Sequence, residues 1–153
     1  MTTNEHMRAV VKQLLAKTKA RQADWRPRTD GEFAGCAIYL PQSSLYLTYI
    51  EPRAEADYIR LELVRNGQQT APGGNPTFEA YVDSPDSNAQ ATNPQELEDS
   101  RWLTELYREA SAIAYRWDEV FAGLGEVLSQ PGSVGLDPAL VLPSKEPAHA
   151  PRR

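Results

Sequence analysis

Tyr58-Ile59-Arg60-Leu61-Glu62-Leu63-Val64-Arg65-Asn66-Gly67 is the stretch on which the fold turns. Ile59, Leu61 and Leu63 alternate with Arg60 and Glu62. Successive side chains of a strand point to opposite faces, so the run predicts a half-buried strand with one apolar face. Asn66-Gly67 closes it with a hairpin signal, because both central residues of a type I′ turn need positive φ. The partner expected across that turn is the short polar run Gln68-Gln69-Thr70-Ala71. Thr77 to Val82 is a further extended piece suited to an edge, and the prolines at 72 and 76 leave its register open.

Two more strand-like runs precede it. Phe33 to Leu40 ends at Pro41, and Leu45 to Ile50 is closed by Pro52. The links between runs are short, which suits an antiparallel meander. Residues 4–20 predict an amphipathic helix capped by Asn4, with Met7, Val10, Val11, Leu14 and Leu15 on one face. Lys12, Lys17, Lys19 and Arg21 gather toward its C-terminal end, where the helix dipole favours cations. Pro27 then biases Arg26 toward extended backbone, and Asp30-Gly31 signals a turn.

Downstream, residues 83–92 read as a polar loop. Asn93-Pro94-Gln95-Glu96 is a helix start: a favoured N-cap, proline at the first helical position and a glutamate placed for a capping box. A single long helix to about Leu128 is expected. Leu103, Leu106, Ala110, Ile113, Trp117, Val120, Leu124 and Val127 form its seam at alternating three- and four-residue spacing. Tyr107, Ala114, Phe121 and Leu128 make a second row. Gly123 and Gly125 weaken the last turns by about 1 kcal/mol each relative to alanine.

The expected architecture is therefore α+β: an N-terminal helix, a three- to four-stranded antiparallel meander, a long C-terminal helix on one sheet face, and a disordered tail. Residues 1–129 form one domain in this reading, and the proline-rich residues 130–153 a flexible tail. The expected core contains Val10, Leu14, Ile38, Leu47, Ile59, Leu61, Leu63, Leu106, Ile113 and Trp117. The order of Leu14-Leu15-Ala16-Lys17-Thr18 leading to Trp25, Ile59 to Val64 with Asn66-Gly67, and Leu103 to Leu128 resembles small helix–meander–helix proteins of bacteria and phages. That resemblance implies the fold and brings no activity with it.

Composition narrows the function. Net charge is −5, yet residues 1–30 carry seven basic residues against three acids, a net +4 that leaves −9 for the remainder. Such asymmetry marks a partner surface, while the acidic remainder argues against broad nucleic-acid binding. One cysteine excludes an internal disulfide framework. No basic n-region precedes an apolar run and no apolar stretch reaches membrane-spanning length, so a cytoplasmic protein is expected.

Catalytic signatures are weak. His6, His149 and Cys36 are too scattered for a zinc site. Glu96, Glu98 and Asp99 crowd a first helical turn, where the dipole already accounts for acids, and Glu105 has Arg101 and Arg108 within helix reach. Ser43-Ser44 lacks a nucleophile elbow, and Gly73-Gly74 lacks the lysine of a phosphate loop. No catalytic residue, cofactor or metal is expected. Lys17, Lys19, Arg21, Trp25, Arg26 and Arg28 interleave cations with an aromatic, as in surfaces that track a phosphate backbone while a base stacks. Leu45, Leu47 and Tyr49 facing the helices would turn Tyr46, Thr48 and Ile50 outward, toward a possible peptide or subunit.

The sequence-based reading is a non-enzymatic interaction or accessory module. It self-associates or meets a partner protein through Trp117, Val120, Phe121, Leu124 and Val127, where the seam outruns any sheet it can cover. A small regulator contacting nucleic acid through residues 17–28 is the alternative.

Overall fold

The alternation in Tyr58–Arg65 produces a strand whose neighbours are set residue by residue. Leu45, Leu47 and Tyr49 stand opposite Leu63, Leu61 and Ile59. Cys36 and Ile38 stand opposite Leu47 and Leu45, and Phe78 opposite Leu61. All these side chains therefore share one face. The computed structural model describes residues 2–28, 35–67, 74–83 and 93–141. Within them the order is α1 (Thr3–Lys19), β1 (Arg26–Arg28), β2 (Gly35–Tyr39), β3 (Ser43–Ile50), β4 (Tyr58–Arg65), β5 (Thr77–Tyr81), α2 (Pro94–Ala114), α3 (Trp117–Leu128) and α4 (Pro138–Val141). The α+β class is as expected. The sheet is a five-stranded antiparallel meander in sequence order, one strand more than the widest expectation.

The additional strand is β1, where Pro27 sits at an edge that needs no donor from it. The edge strand on the other side is β5, Thr77–Tyr81, paired with β4. The turn at Asp30-Gly31, the start of the first predicted strand, the run Gln68–Ala71, most of the loop 83–92 and residues 142–153 lie outside the described residues. Gly67 has positive φ (85°), as the turn requires, but Asn66 does not, so the pair is not a type I′ turn. The Asn66 side chain works sideways instead. Its Nδ2 donates to the Leu40 carbonyl at 2.8 Å, and its Oδ1 accepts from Ser44 Oγ at 2.8 Å, tying the end of β4 to the β2–β3 turn.

The first helix is capped two residues earlier than expected, by Thr2. Thr2-Thr3-Asn4-Glu5 is a capping box, with Glu5 N–H donating to Thr2 Oγ1 and Thr2 N–H to Glu5 Oε2. These bonds hold the Glu5 carboxyl below its ordinary pKa. The helix ends in a Schellman motif: Gln22 N–H donates to the Lys17 carbonyl and Arg21 N–H to that of Thr18, with Arg21 in the left-handed region at φ 60°. Its buried face is Met7, Val11, Leu15 and Thr18, with Val10 and Leu14 packed alongside.

α2 starts as its sequence predicts, with the Asn93 side chain accepting from Glu96 N–H at 2.8 Å and Pro94 at the first helical position. It buries Leu103, Leu106, Ala110 and Ala114 against the sheet and α1. Arg8 donates two parallel bonds to Asp99 (2.9 and 3.0 Å), fixing α1 against α2, and its guanidinium lies 5.5 Å from the centre of the Phe78 ring.

The predicted helix to Leu128 is two helices. α2 stops at Tyr115, and Arg116 takes a left-handed conformation at φ 55°. The Tyr115 hydroxyl donates to the Gly35 carbonyl at 3.0 Å, anchoring the end of α2 to β2. No glycine or proline announces the break, so the continuous seam concealed it. Trp117, expected in the core, is 46% exposed. The chain divides into a unit Met1–Trp117 and a unit Asp118–Arg153.

Two positions carry stability through single contacts. The Trp25 indole N–H is buried and donates to Thr18 Oγ1 at 2.9 Å. Thr18→Val removes that acceptor at nearly constant volume, and chemical denaturation should show a loss of about 1–3 kcal/mol, the cost of a buried donor left unmade. Gly35 lies so close to β3 that an added Cβ would sit 2.6 Å from the Leu47 carbonyl oxygen. Gly35→Ala is expected to destabilise by about 1–3 kcal/mol through forced backbone displacement, read as a lower thermal midpoint.

Candidate functional site

Folding assigns each sequence-level candidate a different fate. Among the described residues no group of three or more histidines, cysteines and carboxylates is placed to hold a metal ion. Cys36 is wholly buried in the core, and burial pushes its thiol up to about 12, so it is a protonated side chain at neutral pH. Burial, reinforced by the bond from its hydroxyl to Asp57, also pushes Tyr49 up to about 12. Neither is poised as a nucleophile.

Three of the five acids of α2 pair with cations of α1. Asp99 holds Arg8, Glu98 lies 4.0 Å from Lys12, and Glu105 meets Lys19 of α1. These cross-helix pairs stand beside the within-helix partners that spacing alone suggested for Glu105. They are the electrostatic side of the α1–α2 contact.

The basic segment is reorganised as well. Trp25 is 2% exposed, with its indole bonded inward, so it offers no ring to a base. Lys19 pairs with Glu105, and Arg26 forms two bonds to Asp24. Arg28 lies over the Tyr46 ring, 3.9 Å from its centre. Lys17 and Arg21 remain at the surface of the α1 terminus. The six residues are neighbours in sequence and do not converge on one stacking surface.

The outer sheet face is equally occupied. Tyr46 sits beneath Arg28 and edge-on to Tyr39, with ring centres 6.5 Å apart. Arg60 pairs with Glu79 and donates to the Tyr58 hydroxyl at 3.3 Å. Ile50, expected to face outward, is buried. A cleft of about 390 Å³ opens where β4, β5 and the start of α2 meet, lined by Glu55, Tyr58, Glu79, Tyr81, Glu96 and Asp99. Sequence reading missed it because its residues come from separate elements; only the Tyr58–Tyr81 register brings the two rings together. Glu79 and Asp99 already hold arginines there.

α3 is different in kind. It contains no buried residue. Trp117, Val120, Phe121, Leu124, Val127 and Leu128 are between 46% and 66% exposed. At about 100° per residue these six share one face of the helix, while Glu119 and Glu126 lie on the opposite side. The five predicted interface residues thus fall together, and Leu128 joins them. Beyond α3, Val134, Leu136, Leu140 and Val141 are each more than half exposed. No described helix is long and apolar enough to cross a membrane.

Comparison with family models, with curated proteins and with solved structures finds no match.

The rearrangement of the basic segment gives a direct test. A phosphate-tracking patch would raise the anisotropy of short single- and double-stranded probes at low salt, and the signal would fade steeply as salt rises. With Trp25 in the core and Lys19 and Arg26 paired, no saturable binding is expected at about 50 mM salt. Saturable binding that Arg26→Ala and Arg28→Ala abolish would restore the nucleic-acid reading.

Proposed function

We propose that this chain is a non-enzymatic interaction module, acting as a cytoplasmic accessory protein, that self-associates through α3. The observation that carries the reading is the clustering of six exposed apolar side chains on one face of a helix with no fully buried residue. Apolar surface in water is unfavourable at roughly 25 cal/mol per Å². Contiguous exposed patches of that kind on a soluble chain mark interaction sites.

A second copy is the occupant favoured by charge. Residues 117–128 contain Asp118, Glu119 and Glu126 and no lysine or arginine. Helices that lie on membrane surfaces are rich in cations on their polar face, so a lipid surface is a poor fit. Two α3 stripes facing each other keep Glu119 and Glu126 on the outside, away from their counterparts. Val134, Leu136, Leu140 and Val141 are exposed as well. Trp117 and Phe121 are the expected anchors, because large aromatics dominate interface energetics.

The nucleic-acid alternative draws less support, since its one aromatic is a core residue.

Val120→Glu combined with Phe121→Glu places two charges in the centre of the stripe. Light scattering should then report a single-chain mass where the wild type reports a multiple, while α1 and α2 keep the circular dichroism helical. A wild-type chain that is monomeric at high concentration, and captures nothing through this face, overturns the proposal.

A further inference from the structure

The sheet has two edges, and they differ. In an antiparallel pair, alternate residues turn their N–H and C=O toward the partner strand. The bonds from Leu40 N–H to the Ser43 carbonyl and from Leu63 N–H to the Pro76 carbonyl fix which residues those are. With the registers of β1–β2 and β2–β3, the β1 residue left facing outward is Pro27, which has no N–H. Proline at that position blunts the edge against a further strand. In β5, Phe78 and Ala80 turn toward β4, and Thr77, Glu79 and Tyr81 face outward.

α2 covers one end of this second edge. Ser100 Oγ donates to the Tyr81 carbonyl, and Asp83 N–H donates to Thr104 Oγ1 at 2.8 Å. Thr77 and Glu79 are exposed, and no described residue bonds to their outward N–H and C=O groups. Open ladder groups of this kind are a template for an added strand, and an extended polypeptide supplies donors and acceptors at the matching spacing.

The cleft of about 390 Å³ lies along the same edge, at the small end of the range of roughly 300–1,000 Å³ for ligand pockets. Glu79, Ala80 and Tyr81 of β5 line it together with Glu55, Tyr58 and Glu96, so a strand added beside Thr77 and Glu79 runs on into it. Its chemistry selects a cation. Four carboxylates and no basic side chain are among its described lining residues. Glu79 and Asp99 hold Arg60 and Arg8, whereas Glu55 forms no hydrogen bond or ion pair with a described residue. Tyr81 is 38% exposed, and a cation over a tyrosine ring is drawn to its electron-rich face.

We propose that the β5 edge and its cleft form a binding site for an extended basic peptide. The peptide backbone joins β5 as a sixth strand through Thr77 and Glu79, and an arginine or lysine side chain enters the cleft against Glu55 and the Tyr81 ring. Main-chain bonds supply affinity in such complexes and the side-chain pocket supplies selectivity. The site is built within residues 55–99 and does not depend on the self-association proposed above.

The test presents a display library of random octapeptides to the full-length chain at about 150 mM salt, where loose electrostatic capture is screened. Peptides that combine β-branched residues with arginine or lysine should be enriched. The strongest is then labelled and titrated by fluorescence anisotropy. Thr77→Pro removes an outward N–H that β4 does not use and sets a ring where the added strand lies, so affinity should fall at least about tenfold, whereas Thr77→Val should stay within about twofold. Glu55→Lys should weaken binding about tenfold by opposing the bound cation. Methylating the peptide amides one at a time should abolish binding at alternate positions and leave the others unaffected, because only one set faces β5. This scan alters the peptide alone, so it decides even if Thr77→Pro lowers the thermal midpoint. The α3 variant Val120→Glu/Phe121→Glu should keep the wild-type affinity, which separates this site from the fate of self-association. A library that enriches no basic peptide overturns the proposal. So does an enriched peptide indifferent to Glu55→Lys, or one that shows no alternation in the methyl scan.

Discussion

One constraint organises this molecule: the register between β3 and β4, which sets Leu45, Leu47 and Tyr49 against Leu63, Leu61 and Ile59. A slip of one residue would send every one of those side chains to the other face. With the register fixed, the sheet has one apolar face and must be covered, and α1 and α2 cover it. Leu47, Leu61, Leu103 and Leu106 are fully buried at their meeting place. The buried residues of that core run from Met7 to Ala114.

The polar contacts follow from the same arrangement. Once α1 and α2 lie on one face, the cations of α1 are brought to the acids of α2, and Arg8–Asp99 becomes a partly buried fork rather than a surface pair. Bidentate geometry gives such a pair directional value that a lone exposed bridge lacks. The charge asymmetry between residues 1–30 and the remainder is thus partly internal. It describes a helix–helix contact as much as a surface offered to another molecule. Trp25 makes the same point, since its indole seals the end of α1 through Thr18.

What was legible in the sequence was whatever depends on local period and local chemistry. The alternation at Tyr58–Val64, the cap at Asn93 and the apolar face of α1 each involve residues within a turn or two of one another. β1 was hidden because three residues carry no period, and Pro27 argues against a strand unless an edge is available. The start of α1 was misplaced because Asn4 is as good a cap as Thr2; only the reciprocal bond from Glu5 distinguishes them. The residues of the stripe were placed on a helix drawn too long, because nothing in their spacing marks the break at Arg116. The acidic cleft was out of reach, since its lining is assembled by register and not by spacing.

The break at Arg116 shows why amphipathic spacing alone cannot separate a core from an interface. Leu103, Leu106, Ala110 and Ala114 before the break and Val120, Leu124 and Val127 after it obey the same three- and four-residue rule. The first set is buried and the second is exposed. Periodicity reports that a helix has an apolar side; it does not report what lies against that side. The distinction enters through composition. The residues of α2 that reach the sheet are flanked by Arg101, Glu105 and Arg108, and its C-cap residue Tyr115 bonds back to β2. α3 carries two glycines, which disfavour a helix, and only acidic charges. A stripe of exposed apolar residues outside the core cluster is the physical content of the interaction surface proposed for this protein.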